Sequence, residues 1–179
     1  VRSSAASDVY KRQIILKDMN IVLAETDAML RYSGGDARKL LNILELVVAA
    51  EEGNEKIEEA IFDLQKNPNE EELAHTLTVI RHRMKEGGQF IVDVEPQPAS
   101  AQMSLKTITT PDGALWWMAF TSFEEELKGA DNVKSTFLAD IEKIFEAALS
   151  VPQIKGIIIN PWNRTIMLDK KLIKIIKPR

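Results

Sequence analysis

The feature that most limits what this chain can fold into is a change of hydrophobic period at Gly87-Gly88. Ahead of the glycines, apolar residues recur at helical spacing. Ile57, Ala60, Ile61 and Leu64 share one face of a helix that Asn54 can cap and Asn67-Pro68 stops. Leu73, Leu77, Ile80 and Met84 share one face of a second helix, capped by Asn69 and ended by the glycine pair. Beyond the glycines the period becomes alternating. Phe90, Val92 and Val94 mark a strand, and Met103 and Leu105, running toward Thr107, mark another. Pro111-Asp112-Gly113 supplies turn chemistry, because proline presets φ and glycine tolerates φ > 0. The ALWWMAFT segment after it then predicts an antiparallel hairpin. Further on, the spacing of Leu138, Ile141, Phe145, Ala148 and Leu149 predicts a helix over 133–149. A short buried strand follows over 156–159, then a turn at 160–163, a strand over 165–168 and a terminal helix over 170–176 capped by Asp169. Blocks of helix and strand in this order give an α+β class, a small mixed or antiparallel sheet covered by helices. Residues 54–179 are enough to bury a core of their own.

The front of the chain reads differently. Residues 1–13, VRSSAASDVYKRQ, begin with Val, are aperiodic, and lack the apolar stretch of a secretory signal. Over SSAASDVYKRQ they resemble translated sequencing-adapter read-through, which implies a disordered appendage outside the fold. Residues 14–53 form an N-terminal helical fragment. A short helix is expected over 26–32, then the Gly34-Gly35 break, then an amphipathic helix over 36–51 carrying Ala37, Leu40, Leu41, Leu44, Val47 and Val48, with Gly53 past its end.

Composition narrows the chemistry. The chain of 179 residues has no cysteine, so a disulfide framework, a thiolate nucleophile and a cysteine-based zinc site are excluded. A net charge of −4 argues against a nucleic-acid binder, which usually shows a basic excess. No apolar run approaches the length of a membrane span. No complete Walker, metal or nucleophile constellation stands in the sequence. The expectation is a protein without enzymatic activity, metal or cofactor.

Two resemblances add to this reading. LRYSGGDARKLLNILELVVAAEEG, residues 30–53, resembles the lid region of clamp-loader-type AAA+ ATPases, most closely the replication-associated recombination protein A family. Gly35-Asp36-Ala37-Arg38 and Leu41-Asn42-Ile43-Leu44-Glu45 carry the likeness. It implies that Arg38 is a sensor-2 arginine, whose planar guanidinium suits the phosphates of ATP. Without a Gly-Lys-Ser/Thr phosphate loop or paired Walker-B acids in this chain, such a nucleotide contact is vestigial. Residues 54–178 resemble the N-terminal domain of the SseB family, named for an enhanced-serine-sensitivity phenotype. EKIEEAIFDLQKNPNEEELAHTLTVIRHRM, ALWWMAFTSFEEELKGA and KGIIINPWNRTIMLDKKLIKII carry this second likeness in order and spacing. It implies a cytoplasmic α+β domain that binds a protein partner or itself, and no mechanism. The join near 50–54 has two explanations, a natural fusion or an assembly chimera. A fragment of an AAA+ replication and recombination ATPase is the alternative reading, with ATP and DNA functions in sequence outside the chain. A small-ligand-binding module is the third.

Among candidate site residues, Asn160, Trp162, Asn163 and Arg164 group polar amides, an aromatic plate and a guanidinium in one loop after a buried strand. The bland alternative is a turn whose asparagines satisfy their own backbone and whose Trp162 caps the core. Trp116 and Trp117 are adjacent in a strand and so point to opposite faces. Either could anchor a partner, or both could serve packing. His75 and His82 lie about 10 Å apart along one helix face, too far to share a metal. The triplets Glu70–Glu72 and Glu124–Glu126 read as helix starts. Arg164, Lys170, Lys171, Lys174, Lys177 and Arg179 make a basic end, suited to an acidic surface or to the dipole of the last helix.

Overall fold

A computed structural model describes residues 34–38, 44, 53–96, 103–129 and 136–177. By its contacts the chain divides into two units, Val1–Ala49 and Ala50–Arg179. In the first, Gly34 and Gly35 form a turn with φ of 58° and 81°, and Ala37, Arg38 and Leu44 are helical. The tail over 1–13, the helix expected over 26–32 and most of the helix expected over 36–51 lie outside the described residues.

The second unit is α+β. Helix α1 spans Glu55–Lys66 and α2 spans Glu70–Lys85. Asn69 caps α2 by accepting the Glu72 amide at 2.8 Å. The far end closes as a Schellman motif: the Gly87 amide donates to Met84 O at 3.1 Å and the Gly88 amide to Arg83 O at 2.9 Å, with Gly87 at φ 77°. Strand β1 (Gln89–Pro96) follows, then β2 (Met103–Leu105), β3 (Thr107–Thr109) and β4 (Leu115–Ala119). A short helix α3 (Phe123–Leu127) precedes β5 (Thr136–Asp140), α4 (Ile141–Ser150), β6 (Ile154–Ile159), β7 (Ile166–Asp169) and α5 (Lys170–Ile176).

One sheet has the order β2-β1-β5 and the other the order β3-β4-β6-β7. They join where Ile91 and Phe120 exchange backbone hydrogen bonds of 2.9 and 2.8 Å. Lys106 kinks the second predicted strand into β2, which pairs with β1, and β3, which pairs with β4. The β3–β4 hairpin turns at Gly113, φ 80°, where sequence placed it. In that turn the Thr110 hydroxyl and Lys155 hold the Asp112 carboxyl down to about 2.

Alternation along β1 and β4 sorts side chains onto two faces. The first carries the main core: Phe90, Val92, Ala119, Ile157 and Ile159 meet Ile57 and Ile61 of α1, Ile80 of α2, Phe145 of α4 and Ile173 of α5. The Phe90 and Phe145 rings pack 6.4 Å apart, tilted by 59°. The second face is smaller. Ile91, Met118 and Phe120 cluster there under Ile108, Leu138 and Phe123, the first residue of α3.

Two local expectations need correction. The helix expected over 133–149 begins only at Ile141. Thr136–Asp140 is a strand paired with β1 over Gln89–Asp93, and Leu138 stands opposite Ile91. The spacing of Leu138, Ile141 and Phe145 fits a helix by chance, whereas an unpaired β1 edge decides the outcome. Asn54 precedes α1 but makes no side-chain cap bond. Its amide donates instead to Gln89 O and Thr121 O, both at 2.9 Å.

Because Phe145 is fully buried against Phe90, Phe145→Ala should lower unfolding free energy by about 3–5 kcal/mol in urea titration. Phe137→Ala, on the exposed β5 edge, should cost less than about 1 kcal/mol.

Candidate functional site

Strands β4 and β6 run parallel and end side by side at Ala119 and Ile159. The backbone beyond a parallel pair must leave the sheet, and the crevice outside such carboxyl ends is where α/β sheets commonly bind. Here Thr121 and Asn160 fill that position, and both are fully buried. A buried amide or hydroxyl without a partner costs about 1–3 kcal/mol, so each needs one. Asn160 clamps Thr121 at two points: its Oδ1 accepts the Thr121 amide at 2.9 Å and its Nδ2 donates to the Thr121 hydroxyl at 2.8 Å. The Thr121 carbonyl accepts Asn54 Nδ2, and Asn54 Oδ1 accepts Arg83 Nε at 3.1 Å. The Thr121 hydroxyl donates onward to Glu58 Oε1 at 2.5 Å. A hydroxyl on a carboxylate resembles an activated nucleophile. This one is enclosed, with Asn160 on its other side, so it bridges α1 to the strand ends.

The loop over 160–164 is held tightly. Asn160 and Arg164 both adopt left-handed backbone, φ 50° and 47°. Asparagine tolerates that region and arginine does so at a cost. The Asn160 carbonyl accepts the Thr165 hydroxyl at 2.6 Å. Arg164 Nη1 bonds Glu58 Oε2 at 3.2 Å, and its guanidinium lies 5.4 Å from the Phe62 ring centre, which also carries Lys66 Nζ at 4.0 Å. Asn163 donates to Glu125 Oε1 at 3.0 Å, and Glu125 also binds Lys128 Nζ at 2.5 Å. The Trp162 indole lies against Gly129, where any Cβ would collide with it.

Of the residues singled out in sequence, Asn160, Asn163 and Arg164 therefore converge on Thr121, Glu125 and Glu58, with Trp162 at the rim. Trp162 does not cap the core: it is 47% exposed. Trp116 and Trp117 lie apart from this loop, on opposite faces of β4. Trp116 is buried with its Nε1 donating to Thr110 Oγ1 at 3.2 Å, and Trp117 is half-buried against the main core. Arg38 is exposed at a helix start, where its amide donates to Asp36 Oδ1 at 2.9 Å. His75 and His82 are exposed, the latter 3.2 Å from Glu86. Much of the basic end is bound internally: Lys177 pairs with Glu142 and Glu146, and Lys170 donates to Val151 O at 2.7 Å.

Sequence reasoning missed the partners. The Glu124–Glu126 triplet does open a helix, with Ser122 accepting the Glu125 amide at 3.3 Å. Yet Glu125 and Glu126 are buried, which a solvated helix start would not be. Glu126 accepts the Thr136 hydroxyl at 2.7 Å and lies against Asp93 on the second face. Burial first, and the neighbouring Asp93 next, push its carboxyl up to about 8. Asp93 lies 33 residues before Glu126, on strand β1 rather than on α3, so no local spacing announces the pair.

Among the described residues no group of three or more His, Cys, Asp or Glu side chains could hold a metal ion. Among them, no helix is long and apolar enough to cross a membrane. No protein-family model, no curated protein and no solved structure matches the chain.

The strained backbone at Arg164 gives an unusual expectation. Arg164→Ala and Arg164→Gly both lose the Glu58 bond, but only glycine relaxes φ 47°. Arg164→Gly should be the more stable of the two by about 0.5–1 kcal/mol in urea unfolding, the reverse of the usual order.

Proposed function

We propose that residues 54–178 form a non-enzymatic, SseB-like domain that works in the cytoplasm by binding a protein partner or a second copy of itself. The observation that carries this reading is the set of large apolar side chains left in solvent around a fixed loop. Trp162 is 47% exposed, Phe62 40% and Leu127 58%. Phe62 lies under Arg164, Trp162 stands two residues before it, and Leu127 is two residues from the Gly129 that Trp162 covers. Tryptophan and arginine are the residue types that most often dominate protein interfaces. A loop held by Asn160, Asn163 and Arg164 loses little entropy on docking, which favours affinity.

Recognition of a small polar ligand fits less well. It needs free donors and acceptors, and those of Asn160, Asn163 and Arg164 are committed to Thr121, Glu125 and Glu58. A nucleic acid fits less well too, since Glu58 and Glu125 stand beside the loop and the net charge is −4.

Photo-crosslinking from position 62 in native cytoplasm, with sedimentation of the purified chain, tests the proposal. One discrete partner, or a dimer, is expected. Trp162→Ala should weaken it by at least about 30-fold, the mark of a hot spot, while leaving the urea midpoint unchanged. Binding that survives both Trp162→Ala and Phe62→Ala would exclude this surface. Saturable substrate turnover by the intact chain would exclude the non-enzymatic reading.

A further inference from the structure

The second face of the sheet holds two acids that the loop after β6 does not use. Asp93 on β1 is 8% exposed and Glu126 on α3 is 2% exposed. Thr136 is the cross-strand partner of Asp93, and its hydroxyl holds Glu126 at 2.7 Å, so β5 brings the two carboxyls together. Asp93 Oδ1 is buried with no donor among the described residues. Among the described residues, the charged groups on surrounding elements do not resolve this. On α3, Lys128 is bound to Glu125 at 2.5 Å and reaches Glu124 at 3.6 Å. Asp140 on β5 pairs with Lys143 at 3.2 Å. Glu95 on β1 and Lys106 between β2 and β3 are exposed, and β4 with the residue after it contributes Met118 and Phe120, which carry no charge. Two carboxylates enclosed together, with no cation beside them among the described residues, cannot both stay ionised at modest cost.

We propose that Asp93 and Glu126 share one proton, and that this proton is a pH-sensitive latch holding α3 and Phe123 over the Ile91–Met118–Phe120 cluster. The Glu126 O–H supplies the donor that Asp93 lacks. Helix α3 has five residues and, among the described residues, little hold on the second face besides this pair and Phe123. On the other side Glu125 ties it to Asn163. When the proton leaves, two buried charges of like sign face each other, and water can hydrate them only if α3 lifts. The direction follows from linkage. The closed form holds the proton up to about 8, whereas an open, hydrated glutamate releases it near its ordinary 4.5. Opening therefore releases a proton and is favoured as pH rises between these values. It levels off above the upper one, where both forms are ionised.

Hydrogen exchange of the whole chain, corrected for intrinsic rates, tests the latch. From pH 5 to 8 the opening of residues 123–127 should increase by up to about tenfold per pH unit and then plateau, while the amides of β6 stay unchanged. Glu126→Gln keeps a donor for Asp93 and adds no charge, so its α3 should stay protected across the range. Asp93→Asn removes the neighbouring acid but leaves Glu126 buried, so it should shrink the pH-dependent opening without abolishing it. A flat wild-type profile from pH 5 to 9 would overturn the proposal. So would a Glu126→Gln profile that tracks the wild type. If adding EDTA at pH 7 opens α3 as far as raising the pH does, a bound cation is the bridge and the shared proton is excluded.

Discussion

Thr121 sits where two parallel strands run out, and its amide, carbonyl and hydroxyl are all sealed from water. A sheet satisfies its own backbone groups only as far as the strands extend. The first residue beyond has to find other partners or unfold locally. In this chain those partners come from distant places. Asn160 closes on Thr121 from the end of β6, Asn54 from the start of α1, and Glu58 from one turn further along α1. Asn54 also takes in Gln89 at the start of β1 and Arg83 at the end of α2. Thr121 and Asn54 together thus tie two helices to three strands. Networks of this kind fix one arrangement because any half-satisfied alternative leaves a buried group orphaned.

The consequence for function is a division of labour. Polar residues of the loop after β6, which look like binding groups in isolation, are occupied by Thr121, Glu125 and Glu58. Among the side chains left in solvent around them are three large apolar or aromatic ones, Phe62, Leu127 and Trp162. Rigidity and stickiness are therefore supplied by different residues, and a partner would meet a preformed surface. The second face works under a different constraint. Its apolar cluster is small, so its closure depends on the shorter α3 and on two acids that agree only while a proton lies between them.

Sequence disclosed the parts of this fold that are decided locally. Asn69, the Gly87-Gly88 pair and Asp169 each mark a helix boundary by a bond made within a few residues, and each does so as expected. Helical faces on α1, α2 and α5 were equally legible, because burial repeats with the helical turn. What stayed hidden is decided by pairing at long range. Thr136–Asp140 has the apolar spacing of a helix and becomes a strand because β1 offers it an edge. Asn54 looks like a cap, yet the backbone of Thr121 and Gln89 claims its side chain. The loop over 160–164 could be picked out by its residue types. That Glu58 and Thr121 would absorb its polar groups could not, since Arg164 and Glu58 are far apart in the chain.

The account rests on Asn54 and Asn160 acting through one shared residue, and a double-mutant cycle measures that directly. Unfolding free energies of the parent, Asn54→Ala, Asn160→Ala and the double variant should give a coupling of about 1–3 kcal/mol, because both side chains satisfy Thr121. Strictly additive losses, within about 0.5 kcal/mol, would show that the two asparagines act separately and would contradict the account.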